Sequence, residues 1–311
     1  MYYPFLRGRQ FELLALRELL EKKLISQDII RPIIEPIKNT PVFNNTLSQF
    51  VEKNYPIYLV ANPQNGSFDF QKFKENDKIF QNAHHKALII GNSSVDQFYE
   101  LLGNKEFVTI STKNSDFGLV GDLYQKCIFP KINFIEESFK NRFLRHVPKE
   151  YEGTLGIIED NFQKADRNVD YNENISDFFS DQHLVYNQNN YVAFSDYSVI
   201  GNQFVDGGFA PKAVVIHVIY FDDNNDLYVK HFKSNSNDDT SDPAGKFGEA
   251  LEKLVEWYKG VDDKNKSNGM NEFVKLRNEK RYPGLGVVKK LSIMHHLEIM
   301  NNFLKQNKGT I

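Results

Sequence analysis

Short apolar runs alternating with amphipathic stretches constrain this chain more than any other feature. Segments 31–37, 56–61, 86–91, 106–111, 127–135, 154–158, 191–194 and 213–221 are rich in Ile, Val, Leu and Phe on both faces. A strand that is apolar on both faces is buried on both, and a parallel sheet covered by helices provides that environment. Between these runs the periodicity turns helical. Leu13, Leu16, Leu20 and Leu24 share one face of segment 11–24, and Arg17, Glu18, Glu21, Lys22 and Lys23 fill the other. Further helices are expected over 44–53 and 94–102, the latter capped by Ser94. Eight strands is the number that closes a (β/α)8 barrel, so the fold class expected is α/β and TIM-barrel-like, with an open doubly wound sheet as the competing arrangement.

The second half adds an antiparallel element. Segments 213–221 and 227–232 are joined by Asp222-Asp223-Asn224-Asn225-Asp226, a connection too short for anything but a hairpin. Pairing Phe221 with Leu227 sets His217 opposite His231 and Ile219 opposite Val229 on one face, with Tyr220 opposite Tyr228 on the other. Polar segment 234–241 is expected to be a mobile loop. Helices are expected over 243–258 and 287–304, joined by a charged linker over 261–271. No internal repeat is found, and residues 1–233 with helices 242–311 packed against them are read as one domain.

Of the 311 residues, 41% are hydrophobic and 14% aromatic, with 26 Phe and 15 Tyr, which excludes a disordered chain. Lys and Arg number 38 against 41 Asp and Glu, a net charge of -3, so no global positive field draws the protein onto nucleic acid or anionic lipid. Cys127 is the only cysteine, which excludes an intramolecular disulfide and multi-cysteine metal sites. It is read as a small core residue in a reducing compartment. Neither a signal peptide nor a membrane span is evident, and the chain is read as soluble and cytoplasmic.

No glycine-rich phosphate loop, His-Glu-x-x-His or Gly-x-Ser-x-Gly motif is present. The candidate site residues are instead polar groups at the carboxyl ends of the expected strands: Glu35, Asn62, Asn92, Ser111, Asp160 and Asp196. Each also suits an ordinary strand-ending turn. Segment 157–171 offers Asp160 as an acid, with Lys164 and Arg167 able to hold phosphate or carboxylate and Asp170 beside them; the competing reading is an ion-paired surface loop. Arg7 and Arg9 flank Gly8, where they can enter a barrel mouth, bind an acidic partner or simply clamp the N-terminus. His217 and His231 can share a proton, or bind a metal with Glu35 or Asp196, or serve as structural histidines. His84-His85 and His295-His296 are read as surface or partner-facing. Glu35, Asp160, Asp196, His217 and His231 thus form the candidate catalytic set, and Arg7, Arg9, Lys164, Arg167 and Asp170 the candidate ligand-binding set. No cofactor is indicated.

Several of these residues sit in a recognisable order. Pro4-Phe5-Leu6-Arg7-Gly8-Arg9-Gln10 is followed by Glu12 and a leucine-rich helix, then by Arg31-Pro32-Ile33-Ile34-Glu35-Pro36. Asp160, Phe162 and Lys164 lead to Arg167-Asn168, Asp170-Tyr171, Phe178-Phe179-Ser180-Asp181, Ser195-Asp196-Tyr197, Ala213 to His217, and Lys230-His231-Phe232. Across nearly its whole length the chain resembles the bacterial and phage "beta protein" family, in its branch from mobile elements and defence-associated gene neighbourhoods. The resemblance implies a barrel-like α/β fold and a restriction-type nuclease encoded nearby as partner, with no established reaction. The Asn- and Asp-rich loop 234–241 departs from the family pattern. The expected function is a component of a phage-defence or mobile-element module that binds a phosphate-bearing ligand, a nucleotide or nucleic-acid end, at the barrel mouth, with hydrolysis as its candidate reaction. A non-catalytic sensor or scaffold that binds a nuclease or phage protein is the alternative.

Overall fold

The computed structural model describes residues 1–68, 85–91, 106–111, 115–205, 207 and 211–307. In chain order these contain β1 (Phe5–Leu6), α1 (Gln10–Glu21), β2 (Ile33–Ile34), α2 (Pro41–Glu52), β3 (Tyr58–Val60), β4 (His85–Ile89), β5 (Phe107–Ser111), α3 (Phe117–Gln125), β6 (Ile132–Ile135), α4 (Lys140–Phe143) and β7 (Leu155–Glu159). There follow β8 (Asp177–Ser180), α5 (Gln182–Val185), β9 (Ala193–Asp196), β10 (Val215–Phe221), β11 (Leu227–Lys233), α6 (Pro243–Tyr258), α7 (Asn268–Asn278) and α8 (Leu285–Gln306). Asn92, His84 and the helix expected over 94–102 lie outside the described residues.

Eight parallel strands pair in the order β1-β2-β3-β4-β5-β6-β7-β9 and form a nearly closed barrel with helices around it. The ends meet through a parallel bridge between Tyr2 and Phe194, where Tyr3 N donates to Phe194 O at 2.9 Å and Phe194 N to Met1 O at 3.1 Å. Every barrel strand contributes to one apolar cluster that includes Phe5, Ile33, Tyr58, Ala87, Val108, Phe134, Ile158 and Ala193, so the interior is a packed core and not a channel. Gly156 makes room for it: a Cβ there would stand 2.7 Å from the Phe134 ring.

A three-stranded antiparallel sheet, ordered β10-β11-β8, stands beside the barrel. Its hairpin has the register read from the loop length, with His217 opposite His231, Ile219 opposite Val229, Tyr220 opposite Tyr228 and Phe221 opposite Leu227. Segment 213–221 therefore belongs to this sheet and not to the barrel. The barrel's remaining strand is β1, whose two residues between Pro4 and Gly8 are too few to show a pattern. Segment 213–221 is apolar except for His217, and α8 and α6 pack against β10. Helix α8 also lies along α1, with Lys290 Nζ 2.6 Å from Glu18 Oε2. No described helix is long and apolar enough to cross a membrane.

Four local expectations are corrected. Segment 234–241 is tied down: Ser234 Oγ accepts from Val214 N at 3.0 Å, Glu249 takes the backbone N–H of Asn235 and Ser236, and Lys246 reaches Asp239. The expected linker 261–271 already contains the start of α7, where Ser267 Oγ caps the Met270 N–H at 3.1 Å. Cys127 is exposed and has φ 59 just after α3, a turn position and not a core one. His295 and His296 are buried on α8, bonded to Ser267 Oγ and Ser198 Oγ, because that helix is enclosed on several sides.

Candidate anion-binding cavity

The loops that leave β1, β7 and β9 converge with β10 and the start of α8 around a cavity of about 260 Å³. Such a place, outside the carboxyl ends of barrel strands, is where this architecture keeps side chains free of the core. Arg7, Arg9, Lys164 and Lys289 line it, together with Glu12, Asn168, His217 and the rings of Phe162, Tyr171 and Phe204. Arg7, Arg9, Lys164 and His217 of the candidate set are thus brought together.

Arg7 is placed by a tight turn. Gly8 has φ +63, and a Cβ there would stand 3.0 Å from Glu35 O, so the turn needs glycine. Arg7 N donates to Glu12 Oε2 at 2.6 Å, and Arg7 Nη1 lies 2.5 Å from Glu35 Oε2, while Nη2 donates to the carbonyl and side-chain oxygens of Asn202. The other Glu35 oxygen accepts from Gln64 N at 2.7 Å and Asn65 N at 3.1 Å. Asn65 Nδ2 donates to the two oxygens as well, at 3.1 and 3.2 Å, so the fully buried Glu35 is saturated; it positions Arg7 and the loop after β3 and has no lone pair left for a ligand.

Arg9 stacks its guanidinium over Phe204 at 4.7 Å and donates to Val205 O. Lys164 and Lys289 make no ion pair among the described residues. Burial holds the Lys289 ammonium below its ordinary value, with Arg9 and Lys164 adding to the effect and Glu12 opposing it. Burial pushes Glu12 up against the pull of Lys289, and its Oε1 has no partner among the described residues. With Arg7 balanced by Glu35, three cations face one acid among the described lining residues, and their excess is positive.

His217 enters from β10, wedged edge-on against Phe162 and Tyr171 at ring separations of 5.1 and 4.7 Å. Its Nδ1 lies 2.8 Å from His231 Nδ1, and His231 Nε2 lies 2.9 Å from Asp177 Oδ2. The carboxylate beside the histidines is therefore Asp177 of β8 and neither Glu35 nor Asp196. The two facing nitrogens are committed to each other, and among the described residues no group of three or more His, Cys, Asp or Glu is arranged to hold a metal. Burial, His231 and Lys289 together keep His217 well below its ordinary value. His231 is also lowered by burial, which outweighs the opposing effect of Asp177. A neighbouring carboxylate ordinarily keeps an imidazole protonated to higher pH, but here desolvation is the larger effect.

The remaining candidates separate from the cavity. Asp160 stands beside it; burial raises its carboxyl, opposed by the Asn202 N–H and the charges of Arg7 and Lys164. Asp196 is buried on the outer side of β9, where its Oδ1 accepts from Tyr2 OH at 2.9 Å and Ser198 N at 2.7 Å. Arg167 and Asp170 bind each other in an exposed bidentate pair at 2.9 and 2.8 Å, with no other ion pair among the described residues, which is the ion-paired surface loop. Asn62 exchanges hydrogen bonds with the Ile89 backbone as a strand-end clamp. Glu12, Lys289, Asp177, Tyr171 and Phe204 were not singled out as site residues. Only Glu12 carried a signal, a carboxylate on the same helical face as Leu16 and Leu19. Comparison with protein-family models, curated proteins and solved structures finds no match to this chain.

Proposed function

We propose that the cavity binds a small phosphate-bearing ligand of mononucleotide size or less. The observation that carries this reading is the convergence of Arg9, Lys164 and Lys289 on one concave space, with Glu12 the single acid among its described lining residues. Unpaired cations brought together against their mutual repulsion gain from an anion that takes hydrogen bonds from all of them. The rings of Phe162, Tyr171 and Phe204 supply apolar and π surface for a base or sugar beside the phosphate. A volume near the roughly 300 Å³ lower limit of small-molecule pockets suits a nucleotide or strand end, and a duplex is too wide to enter it. Resemblance to the beta protein family supports placing this binding in a phage-defence or mobile-element module with a nuclease partner. The solitary cysteine supports a cytoplasmic setting.

Calorimetric titration with pyrophosphate and with adenosine monophosphate tests the reading. Wild type should bind at least one of them, and Arg9→Gln and Lys164→Gln should each weaken binding about tenfold, the value of one charge-assisted hydrogen bond. Failure of wild type to bind either, or unchanged binding by both variants, contradicts it.

A further inference from the structure

The three groups Asp177, His231 and His217 form a line that ends in the cavity. Asp177 Oδ2 accepts a hydrogen bond, so His231 Nε2, 2.9 Å away, carries the hydrogen. A neutral His231 then offers a lone pair at Nδ1, and His217 Nδ1, 2.8 Å away, must donate to it. That leaves the lone pair of His217 on Nε2, which has no hydrogen-bond partner among the described residues, on a ring that lines the cavity. The side chain of His231 is 2% exposed and that of Asp177 29%, so the line runs from solvent-facing carboxylate through buried imidazole to ligand space. Tyr171 packs against both rings, edge-on to His217 at 4.7 Å and tilted to His231 at 4.6 Å, and so holds their planes. An imidazole oriented by a second group that is itself oriented by a carboxylate is the arrangement a general base requires.

Resting on the reading of the cavity as a phosphate site, we propose that His217 Nε2 is the general base of a phosphoester hydrolase, with His231 and Asp177 as its positioning residues. Water bound between His217 and the ligand attacks phosphorus. As the new P–O bond forms, the water proton passes to His217 Nε2. The ester P–O bond breaks, its electron pair goes to the leaving oxygen, and that oxygen takes a proton from solvent at the cavity mouth. Arg9, Lys164 and Lys289 hold the charge spread over the phosphoryl oxygens. The imidazolium of His217 keeps its Nδ1–H bond to His231 until it returns its proton to solvent. The charged groups around His217 are Lys289 of α8, Lys164 after β7, Arg7 and Arg9 after β1, Glu12 of α1, and Asp177 behind His231. An anionic ligand offsets the cations among them, which strengthens the base when substrate is bound.

Wild type, His217→Gln and Asp177→Ala are titrated with pyrophosphate by calorimetry. They are also assayed for phosphate release from nucleoside monophosphates and for hydrolysis of para-nitrophenyl phosphate, and their imidazole ¹⁵N spectra are recorded at pH 7. Wild type should hydrolyse at least one of these esters. His217→Gln should lose about 100-fold or more in turnover while its affinity for pyrophosphate changes less than about threefold. Asp177→Ala should slow turnover about tenfold and turn the single Nδ1–H tautomer of His217 into a mixture, a change that lost packing alone would not produce. Turnover should fall with acidification only below pH 6.5, as His217 protonates. Wild type that binds pyrophosphate but hydrolyses none of the esters, or His217→Gln with full turnover, overturns the base and leaves the binding site standing. Wild type that does not bind pyrophosphate overturns the reading beneath it. If His217→Gln does not fold, the wild-type spectrum decides, and a His217 proton on Nε2 overturns the proposal.

Discussion

Arg7, just after β1, and Glu35, just after β2, form a buried ion pair, Nη1 to Oε2 at 2.5 Å, with side chains 7% and 0% exposed. Such a pair gains little over an apolar one, but losing one member strands the other charge in a low dielectric. Glu35→Ala should therefore destabilise the protein by about 3–5 kcal/mol. Denaturant unfolding checks this; a loss below about 1 kcal/mol would mean that water replaces the carboxylate and that the clamp is not what holds Arg7 in place.

Burial of histidines and of Asp196 gives the stability curve two opposing limbs. His183, His295 and His296 are lowered by burial to about 4, about 4 and about 3. Unfolded histidines take up protons below about pH 6.5 while these stay neutral, so stability present above that pH drains away as the pH falls toward 4. Asp196 works the other way: burial raises it to about 7, so its contribution is complete below its ordinary 3.8 and lost as the pH rises through 7. Asp196→Asn keeps an acceptor for Tyr2 and Ser198 without the buried charge. Denaturation from pH 4 to 8 should show the variant more stable than wild type at pH 8, by roughly 2–4 kcal/mol, and similar to it near pH 4. Parallel curves would show that Asp196 titrates normally.

Among the described residues Arg167 and Asp170 form an ion pair only with each other, and Arg167 is 75% exposed. Exposed pairs contribute little, and neither residue lines the cavity. Arg167→Ala should leave both the melting temperature and pyrophosphate affinity as in wild type. Weakened binding with an unchanged melting temperature would show that the loop 163–170 closes over the ligand.

The barrel was legible because seven of its strands carry doubly apolar runs, a pattern that burial on both faces imposes. Two-residue β1 was not, since its pairing depends on Pro4 and Gly8 shaping a turn that periodicity does not register. The hairpin register followed from loop length alone, which is why His217 and His231 could be placed opposite each other. Their carboxylate partner could not: Asp177 comes from β8, which joins β11 across a register shift between Leu227 and Tyr228. Nor could Lys289, since its place at the cavity depends on how α8 docks against α1. In each case the missing information is a long-range packing relation that no local window contains.

Whether an anion sits among the three unpaired cations is tested most directly by lysine footprinting. The protein is labelled with an amine-reactive acetyl ester, with and without saturating pyrophosphate, and acetylation at each lysine is read by mass spectrometry. Lys164 and Lys289 should be protected about tenfold by pyrophosphate, while Lys53, at the end of α2, labels equally in both conditions. Equal labelling of Lys164 and Lys289 with and without pyrophosphate would contradict the account.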